Sequence, residues 1–413
     1  MHTSREAEAI ARMFRIEEPL TLEDFKGKGN INLETLLLQA GPEESVYLLQ
    51  RVNTDVFPMP DRVMHGMVAS ISAQQSSVEL GHNREHRWAV PELVPTHTGE
   101  LYLNLEDRGV WRMMRYIEGT ISYKSLSELP TERQLDTARQ VGKGLALYSD
   151  LTASIDAATL PSALPGYRDT RLYFDQLEAA LDGYRELHEV ESRLPIDSEI
   201  RAAAERHFLC ALPEEERLAR RNDPDLKPFI KLAHEHRDLA LSLQDLRESG
   251  TIRQTAIHGD TKIENFLFDA MTGDVIALVD LDTVMPHSWL ADWGDMVRSL
   301  ANVAGEKERD LNKVQVDRDV YAAVMEGFLS TASTATPEEI ALMPKAVQVI
   351  ALELGIRFLA DYLRGDTYFQ LGADDPADLN KVRAMVQLQL FTKLLEHEAE
   401  ANALVEQFSR ARV

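Results

Sequence analysis

The stretch from 258 to 282 limits what this chain can fold into more than any other. It contains "HGDTKIENFLFD", the turn "AMTGD" and the apolar run "VIALVDLD". Two apolar runs separated by a Gly-containing turn are typical of a β-hairpin. The hairpin places Asn265 at the start of one strand and Asp280 and Asp282 at the end of the other. Both ends lie next to the loop that carries Asp260, and strand alternation predicts that Asp280 and Asp282 share one face.

The polar side chains that converge here are those that phosphoryl transfer requires. That reaction needs a carboxylate to accept the proton of an attacking hydroxyl, a cation near the γ-phosphate, and a divalent cation on the phosphate oxygens. Asp260 is the candidate base, and Lys262 is the candidate γ-phosphate contact. Asn265 and Asp280 offer the hard oxygen ligands that Mg²⁺ prefers. His258 is interpreted as a structural residue that holds the loop through a hydrogen bond.

Alternatives remain open for parts of this cluster. Asp282 is either a second metal ligand or a structural residue that accepts a hydrogen bond from a backbone N–H. The cluster can also be interpreted as a metal-dependent hydrolase site that uses His258, although such sites usually have more His or carboxylate ligands. A non-catalytic binding module is a further alternative, but every residue that phosphoryl transfer requires is present.

The N-terminal part of the chain predicts a small α+β unit. Its beginning, "MHTSREAEAIARMF", predicts a short amphipathic helix and has no signal-peptide core. Residues 32–53 predict two strands around the turn "AGPEES", and residues 60–75 predict a helix. Short extended segments follow, near 92–97, 100–103 and 110–117.

Two features of this unit are candidate nucleotide contacts. The loop "DFKGKGNIN" carries Gly27 and Gly29, and a Gly-x-Gly loop allows the backbone to approach a phosphate. The strand "YLLQRVN" should carry the Lys that anchors ATP in a kinase, but it offers Arg51 beside Gln50. Arg binds phosphate through paired hydrogen bonds, so Arg51 is the candidate ATP contact. Only one of Gln50 and Arg51 can face the cleft, because side chains alternate along a strand.

After a predicted hinge at "EGTISY" the chain is mostly helical. The first helix starts near Pro130, with Thr131 and Gln134 as a capping box. Further helices are predicted over 171–184, 198–211, 227–247, 345–363 and 379–408, and the charged segment 213–228 is interpreted as a surface insertion. We therefore predict an α+β bilobal fold, with 1–118 as the nucleotide-binding lobe, 119–413 as the helical lobe, and 196–250 as a helical insertion.

Composition restricts the partners of the chain. Its 413 residues suit two lobes, and its net charge of −24 argues against nucleic acid and anionic membranes as partners. An anionic substrate such as ATP would need local compensation by Mg²⁺ and basic side chains. With Cys210 as the single cysteine, neither an intrachain disulfide nor a Cys-based zinc site can form. No apolar run is long enough to cross a bilayer, so we expect a soluble, cytoplasmic protein.

These motifs resemble those of the aminoglycoside phosphotransferase and choline kinase superfamily, which has a protein-kinase-like bilobal fold. The resemblance is closest to the bacterial N-acetylhexosamine 1-kinases. It implies an ATP- and Mg²⁺-dependent kinase that phosphorylates the anomeric hydroxyl of a hexosamine or N-acetylhexosamine. An aminoglycoside or other amino-alcohol phosphotransferase is the alternative, and an acidic surface would suit such a cationic acceptor. Four stretches carry the resemblance: "YLLQRVNTDVF" at 47–57, "HGDTKIENFLFD" at 258–269, "VDLDTVMPHSWLADWGD" at 279–295 and "RFLADYLRGDTYF" at 357–369.

The resemblance implies roles for individual residues near the chemistry. Asp260 is the catalytic residue, and Asn265 and Asp280 are the magnesium ligands. Arg357 and Tyr368 contact the sugar.

It also implies roles for residues around this centre. Asp292 braces the catalytic loop, and "GKGNIN" lies over the phosphates and the sugar, which makes Asn30 a substrate contact. Family members have His where Asn30 and Arg168 stand here, so the exact sugar remains open. The oligomeric state also remains open.

Overall fold

The structure, a computed structural model, describes residues 2–25, 32–82 and 85–410. The strands of the N-terminal sheet are β1 (Leu20–Asp24), β2 (Glu34–Ala40), β3 (Ser45–Arg51), β4 (Leu103–Leu105) and β5 (Gly109–Arg115). They form an antiparallel sheet in the order β1-β2-β3-β5-β4. The two strands predicted over 32–53 are confirmed as β2 and β3.

A helix covers each face of this sheet. The helices are α1 (His2–Ala11) and α2 (Pro60–Glu79). Leu49 of β3 and Met113 of β5 belong to an apolar cluster with α1, on the face that we call the outer face. Val110 of β5 packs with Val63 of α2 on the opposite, inner face. The inner face is the one turned toward the rest of the molecule.

Two smaller sheets hold the segment that the sequence analysis singled out. Their strands are β6 (Thr120–Ile121), β7 (Thr255–Ile257), β8 (Phe266–Asp269), β9 (Val275–Leu278) and β10 (Met285–His287). β6, β8 and β9 form one antiparallel sheet, and β7 pairs with β10. The predicted hairpin is confirmed as β8 and β9. The predicted hinge contributes β6, so the chain enters its helical part along this hairpin.

The remainder of the described chain is helical and surrounds a large apolar core. Its helices are α3 (Thr131–Leu151), α4 (Thr170–Asp182), α5 (Ser198–Ala204), α6 (Glu214–Arg221), α7 (Lys227–Glu235), α8 (Arg237–Glu248), α9 (Trp289–Leu300), α10 (Arg318–Leu329), α11 (Pro337–Ala341), α12 (Met343–Arg364), α13 (Leu379–Glu396) and α14 (Glu398–Arg410). α12 is buried along almost its whole length and forms the centre of the core. Among the described residues, no helix combines the length and apolarity that crossing a membrane requires.

The helical part departs from prediction in several places. The helix predicted over 227–247 is two helices that meet at His236, and the one over 379–408 is two that meet at His397. α9 was not predicted, and the segment interpreted as a surface insertion contains α6. The capping box is wrong, because Pro130 is the N-cap and the Gln134 side chain donates to the Leu129 carbonyl at 2.9 Å. The boundary at 118 and the insertion over 196–250 remain predictions.

Candidate active site

His258 is the first residue of the candidate catalytic loop, and both nitrogens of its ring make contacts that hold this loop in place. Its ring is buried, and Nε2 lies 2.8 Å from the Val279 carbonyl at the end of β9. Nδ1 accepts a hydrogen bond from the Asp260 N–H at 3.3 Å, and the Tyr148 ring contacts the imidazole edge-on. Burial lowers the pKa of His258, which favours the neutral ring that these contacts require. Neither nitrogen is left for a metal, which argues against the hydrolase alternative.

Asp292, in the first turn of α9, anchors the same loop through its backbone. Its two carboxylate oxygens accept the N–H groups of His258 and Gly259, at 2.7 and 2.8 Å. Burial raises the pKa of Asp292 to about 7, although these two hydrogen bonds oppose the shift. Gly259 has a φ of +85°, and a Cβ atom there would meet the Thr283 carbonyl at 2.6 Å. The loop therefore needs glycine at this position.

Asp260 follows and presents its carboxylate to solvent, with 28% of the side chain exposed. Asn265 Nδ2 donates to the Asp260 carbonyl at 2.8 Å, which leaves the amide oxygen for another partner. Lys262 Nζ lies 3.1 Å from Asp260 and 2.9 Å from Glu264. Burial alone would lower the pKa of Lys262, but the two carboxylates outweigh burial and raise it. The loop thus brings a carboxylate, an ammonium and an amide oxygen together.

Asp280 lies beside Asn265 because the Val279 N–H donates to the Asn265 carbonyl at 2.9 Å. β9 ends at Leu278, so Asp280 and Asp282 lie beyond the strand and the predicted alternation does not apply. Asp280 adopts a left-handed conformation with a φ of +66°, which is unusual for a residue other than glycine. The backbone therefore leaves the extended conformation of β9 at Asp280.

The charges around Asp280 fit a divalent cation. Burial raises the pKa of this carboxyl to about 7, and the neighbouring carboxylates of Asp282 and Asp260 add to the shift. A bound cation relieves such repulsion, and the oxygens of Asn265 and Asp280 are the donors that Mg²⁺ prefers. The residues present therefore fit the magnesium site that was predicted for them.

Asp282 has a partner that the sequence analysis missed. Its carboxylate forms an ion pair with the Arg112 guanidinium from β5, and both side chains are buried. Its second oxygen accepts a hydrogen bond from Asn32 Nδ2 at 3.1 Å. Neither alternative predicted for Asp282 describes this arrangement. Arg112 stands between two apolar residues of β5, and this local sequence does not indicate an ion pair with a residue so distant along the chain.

Arg51 does not face the cleft as predicted. It lies opposite Trp111 in the register of β3 and β5, on the outer face of the sheet with α1. Its guanidinium is 3.6 Å from Glu34. Gln50 faces inward instead and accepts a hydrogen bond from Arg112 Nε at 3.0 Å. Three other predicted contacts, Gly27, Gly29 and Asn30, lie outside the described residues.

The predicted sugar contacts Arg357 and Tyr368 lie together. Arg357, on α12, donates to the Tyr368 hydroxyl at 3.2 Å. The guanidinium carbon lies 4.8 to 5.4 Å from the centres of four aromatic rings, those of Tyr167, Tyr173, Tyr368 and Phe369. No ion pair joins Arg357 to a carboxylate of the described residues. We call this group of side chains the aromatic wall.

Asp361 fixes the position of Tyr368 from behind the wall. Its carboxylate accepts the backbone N–H groups of Tyr368 and Phe369 at 2.9 and 2.7 Å. The His207 ring contacts the Tyr368 ring edge-on, with centres 4.9 Å apart. Arg364 connects these residues, because it pairs with Asp361 and donates to the His207 carbonyl. The sequence analysis missed Asp361 and His207, although the segment 196–250 had been singled out.

Arg168, where the family resemblance predicts His, is a buried residue with two carboxylate partners. Its guanidinium pairs with Asp295 at 2.8 Å and with Glu353 at 3.3 Å. It also lies over the Tyr167 ring, at 4.9 Å. Whether Arg168 alters the choice of sugar stays a question for an acceptor panel.

Solved structures with the same architecture are kinases of small molecules. The structure of a microcompartment-associated aminopropanol kinase matches with a TM-score of 0.56 and 12% identity, over 97% of this chain and 98% of that one. An amicoumacin kinase in complex with AMP-PNP, Ca²⁺ and Ami matches with a TM-score of 0.52 and 14% identity, over 94% and 96%. At these identities the likeness shows the shared fold.

A kinase-like sheet, a helical body and a loop with an exposed, braced carboxylate define a small-molecule phosphotransferase. The chain belongs to the phosphotransferase enzyme family, whose sequence model matches residues 73–324. The predicted superfamily and bilobal α+β fold are thereby confirmed. The closer resemblance to N-acetylhexosamine 1-kinases remains a prediction.

Proposed function

We propose that this phosphotransferase is an ATP- and Mg²⁺-dependent kinase that phosphorylates the anomeric hydroxyl of a hexosamine or N-acetylhexosamine. The observation that carries the proposal is that Tyr167, a member of the aromatic wall, also contacts the catalytic loop. Its hydroxyl donates to the Gly259 carbonyl at 3.2 Å, and its ring contacts the Arg357 guanidinium at 5.2 Å. The candidate base Asp260 and the wall therefore border the same space.

The wall has the chemistry of a sugar site. Aromatic faces pack against the apolar face of a sugar ring, and a few fixed polar groups orient its hydroxyls. Tyr368 supplies a hydroxyl, and Arg357 supplies N–H donors that form no ion pair with a carboxylate of the described residues. Such donors suit the ring hydroxyls or the acetamido oxygen of an N-acetylhexosamine.

Four residues in and near the catalytic loop have roles in phosphoryl transfer under this proposal. Asp260 orients the acceptor hydroxyl and accepts its proton. Lys262, held beside it, contacts the γ-phosphate. Asn265 and Asp280 hold the metal, and Mg²⁺ when bound supplies the positive charge that neutralises the phosphate oxygens of ATP.

An aminoglycoside or amino-alcohol acceptor is the second candidate function. The net charge of −24 favours it, because an acidic surface attracts a polycation. The local charge opposes it, since Arg357 presents a cation where the ammonium groups of such an acceptor would lie. We therefore rank the neutral sugar first.

An acceptor panel with coupled detection of ADP release tests the proposal. The panel contains hexosamines, N-acetylhexosamines, an aminoglycoside, ethanolamine and a reaction without acceptor. We expect release that depends on an amino sugar and on Mg²⁺. Asp260→Asn should lower kcat by about 10²- to 10⁴-fold, because it removes the proton acceptor.

The matched control is Asp274→Asn, a carboxylate on the exposed turn of the hairpin, which should keep wild-type kcat. Full activity of Asp260→Asn would contradict the assignment of the base. Release with the aminoglycoside or ethanolamine alone would establish the second candidate instead.

A further inference from the structure

Among the described residues, β3 and α2 lack both members of the ion pair that protein kinases use. In those enzymes a Lys on the third strand contacts the phosphates of ATP and pairs with a Glu on the following helix. Here β3 reads "SVYLLQR", without Lys, and its inward side chain is Gln50. The following helix, α2, has acidic residues only at its ends, at Asp61 and Glu79. β3 and α2 therefore do not supply the Lys–Glu pair of protein kinases.

Arg112 occupies the equivalent place on the neighbouring strand. It is the cross-strand partner of Gln50 in the register of β3 and β5. Its side chain lies on the inner face, is 1% exposed, and contacts Met67 of α2 through Nη1. This cation therefore lies one strand across the sheet from the kinase Lys position, on the same inner face.

The guanidinium is fixed at the metal end of the cleft. Asp282, its ion-pair partner, is two residues beyond the candidate metal ligand Asp280. α2 packs closely against the segment that follows Asp282, since a Cβ atom on Gly66 would meet the Val284 carbonyl at 2.7 Å. Arg112 therefore connects the sheet to the segment that carries the metal ligands.

The guanidinium also retains donors for a ligand. The contacts described above use Nε, on Gln50, and Nη1, on Asp282 and Met67. No described residue accepts a hydrogen bond from Nη2. An Arg held by a carboxylate on one edge can present its other edge to phosphate oxygens.

We propose that Arg112 is a second phosphate-contacting cation of this enzyme beside Lys262, and that the Arg112–Asp282 pair replaces the kinase Lys–Glu pair. The inference rests on the proposed use of ATP and does not depend on the identity of the acceptor. Asp282 is then a positioning residue, which holds the guanidinium while Nη2 contacts the nucleotide.

Calorimetric binding of Mg²⁺–AMP-PNP tests this role independently of turnover. Arg112→Gln should raise the Kd of the nucleotide about 10- to 100-fold, as expected for the loss of charged hydrogen bonds. The KM for ATP should rise with it, while the KM for the acceptor stays unchanged. The matched control is Arg115→Gln on the same strand, an exposed Arg that pairs with Glu92 at 3.2 Å, and it should bind as wild type does.

A double variant separates this role from a purely structural one. Arg112→Gln with Asp282→Asn leaves no unpaired buried charge, so it should fold even where Arg112→Gln alone does not. We expect the double variant to bind nucleotide as weakly as the single one, and thermal unfolding checks that it is folded. Wild-type affinity in the folded double variant would overturn the inference.

A second double variant tests the location of the charge. Arg112→Gln with Gln50→Lys returns the cation to β3 on the same face, and it should recover part of the lost affinity. No recovery would contradict the view that the charge has moved between these strands. Failure of the wild-type protein to bind Mg²⁺–AMP-PNP would overturn the proposed use of ATP itself, whereas wild-type binding that Arg112→Gln leaves intact would overturn only this inference.

Discussion

At the scale of single residues, buried contacts fix the backbone of the catalytic loop, whereas the side chain of Asp260 remains partly exposed to solvent. His258 and Asp292 use their side chains to fix backbone groups of the loop. Asp260 is thereby presented to the cleft in a fixed direction, which is how a positioned base gains its advantage over one in solution. The cost is the burial of Asp292, whose pKa is raised to about 7.

Gly259→Ala tests this view of the loop. The added Cβ would meet the Thr283 carbonyl at 2.6 Å, and the φ of +85° disfavours any L side chain. A displacement of Asp260 of the order of 1 Å should lower kcat by about 10²-fold. The measurement is steady-state kinetics beside urea unfolding.

Gly250→Ala is the matched control for this variant. Gly250 has a φ of +74° and open space around its Cβ position. It should lose about 1–2 kcal/mol of stability from backbone strain and keep wild-type kcat. Equal kcat values for the two variants would contradict the claimed role of Gly259.

The sequence revealed these residues unevenly, for physical reasons. Asp260 and Asn265 lie in one short motif, so their spacing alone indicated their chemistry. Arg112 and Asp282 meet only through the tertiary fold, and no local pattern indicates such a contact. The charge of Arg51 favours it over Gln50 as a phosphate contact, but the phase of β3 turns Gln50 inward and Arg51 to the outer face.

At the scale of elements, the aromatic wall depends on how α12 ends. Arg357 lies on that helix, and Gly365 ends it in a left-handed conformation with a φ of +118°. The chain then turns back, and Asp361 captures its backbone so that Tyr368 returns to Arg357. The motif "RFLADYLRGDTYF" thus contains the last part of α12, the glycine that ends this helix, and the turn that brings Tyr368 back to Arg357.

Arg357→Met tests the polar role of the wall. Methionine keeps most of the apolar contact with the rings but removes the N–H donors. The KM for the sugar should rise about 10- to 100-fold, while the Kd for Mg²⁺–AMP-PNP stays unchanged. Initial-rate kinetics with each substrate varied in turn makes this measurement.

The matched control is Arg237→Met, which also removes an Arg from an aromatic ring, that of Phe174 at 5.1 Å. It should leave the sugar KM unchanged. A wild-type sugar KM in Arg357→Met would contradict the assignment of the wall as the acceptor site.

Elements were predicted well where periodicity is strong and poorly where tertiary contacts decide their ends. α12 and the hairpin followed from their patterns. The breaks at His236 and His397 did not, because each His continues the local pattern and packs against another helix through Phe391 or Tyr321. The exit from β9 was missed because "VDLD" alternates like a strand, whereas Asp280 leaves it at a positive φ.

At the scale of the whole molecule, a buried ionic network connects the helical part. Asp295 pairs with Arg168 and with Arg298, which in turn pairs with Glu306. Arg168 also reaches Glu353 on α12. These contacts join the start of α4, α9 and α12 directly behind the catalytic loop. Within this network the buried charge of Arg168 is paired.

Asp295→Asn tests the network through the pH dependence of stability. Burial alone would raise the pKa of Asp295, but the guanidinium groups of Arg298 and Arg168 outweigh burial and lower it to about 2. An unfolded Asp has a pKa of about 3.9. The stabilisation is therefore present above pH 4 and is lost as the pH falls toward 2.

Urea unfolding between pH 7 and pH 3 measures this effect. At pH 7 the variant should be about 3–5 kcal/mol less stable than wild type, because it leaves buried guanidinium groups unpaired. The difference should shrink at low pH. Asp136→Asn, in an exposed pair with Arg139, is the control and should change stability by less than about 1 kcal/mol. A gap that stays constant with pH would contradict the assigned pKa shift.

The central proposal concerns the whole enzyme, namely that it transfers phosphate from ATP to the anomeric hydroxyl of an amino sugar. Phosphorus and proton NMR of the product formed from ATP and N-acetylhexosamine tests this claim most directly. We predict a phosphorus signal coupled to the anomeric proton, in a product that mild acid hydrolyses. An acid-stable ester coupled to a proton at any other ring position would contradict the account.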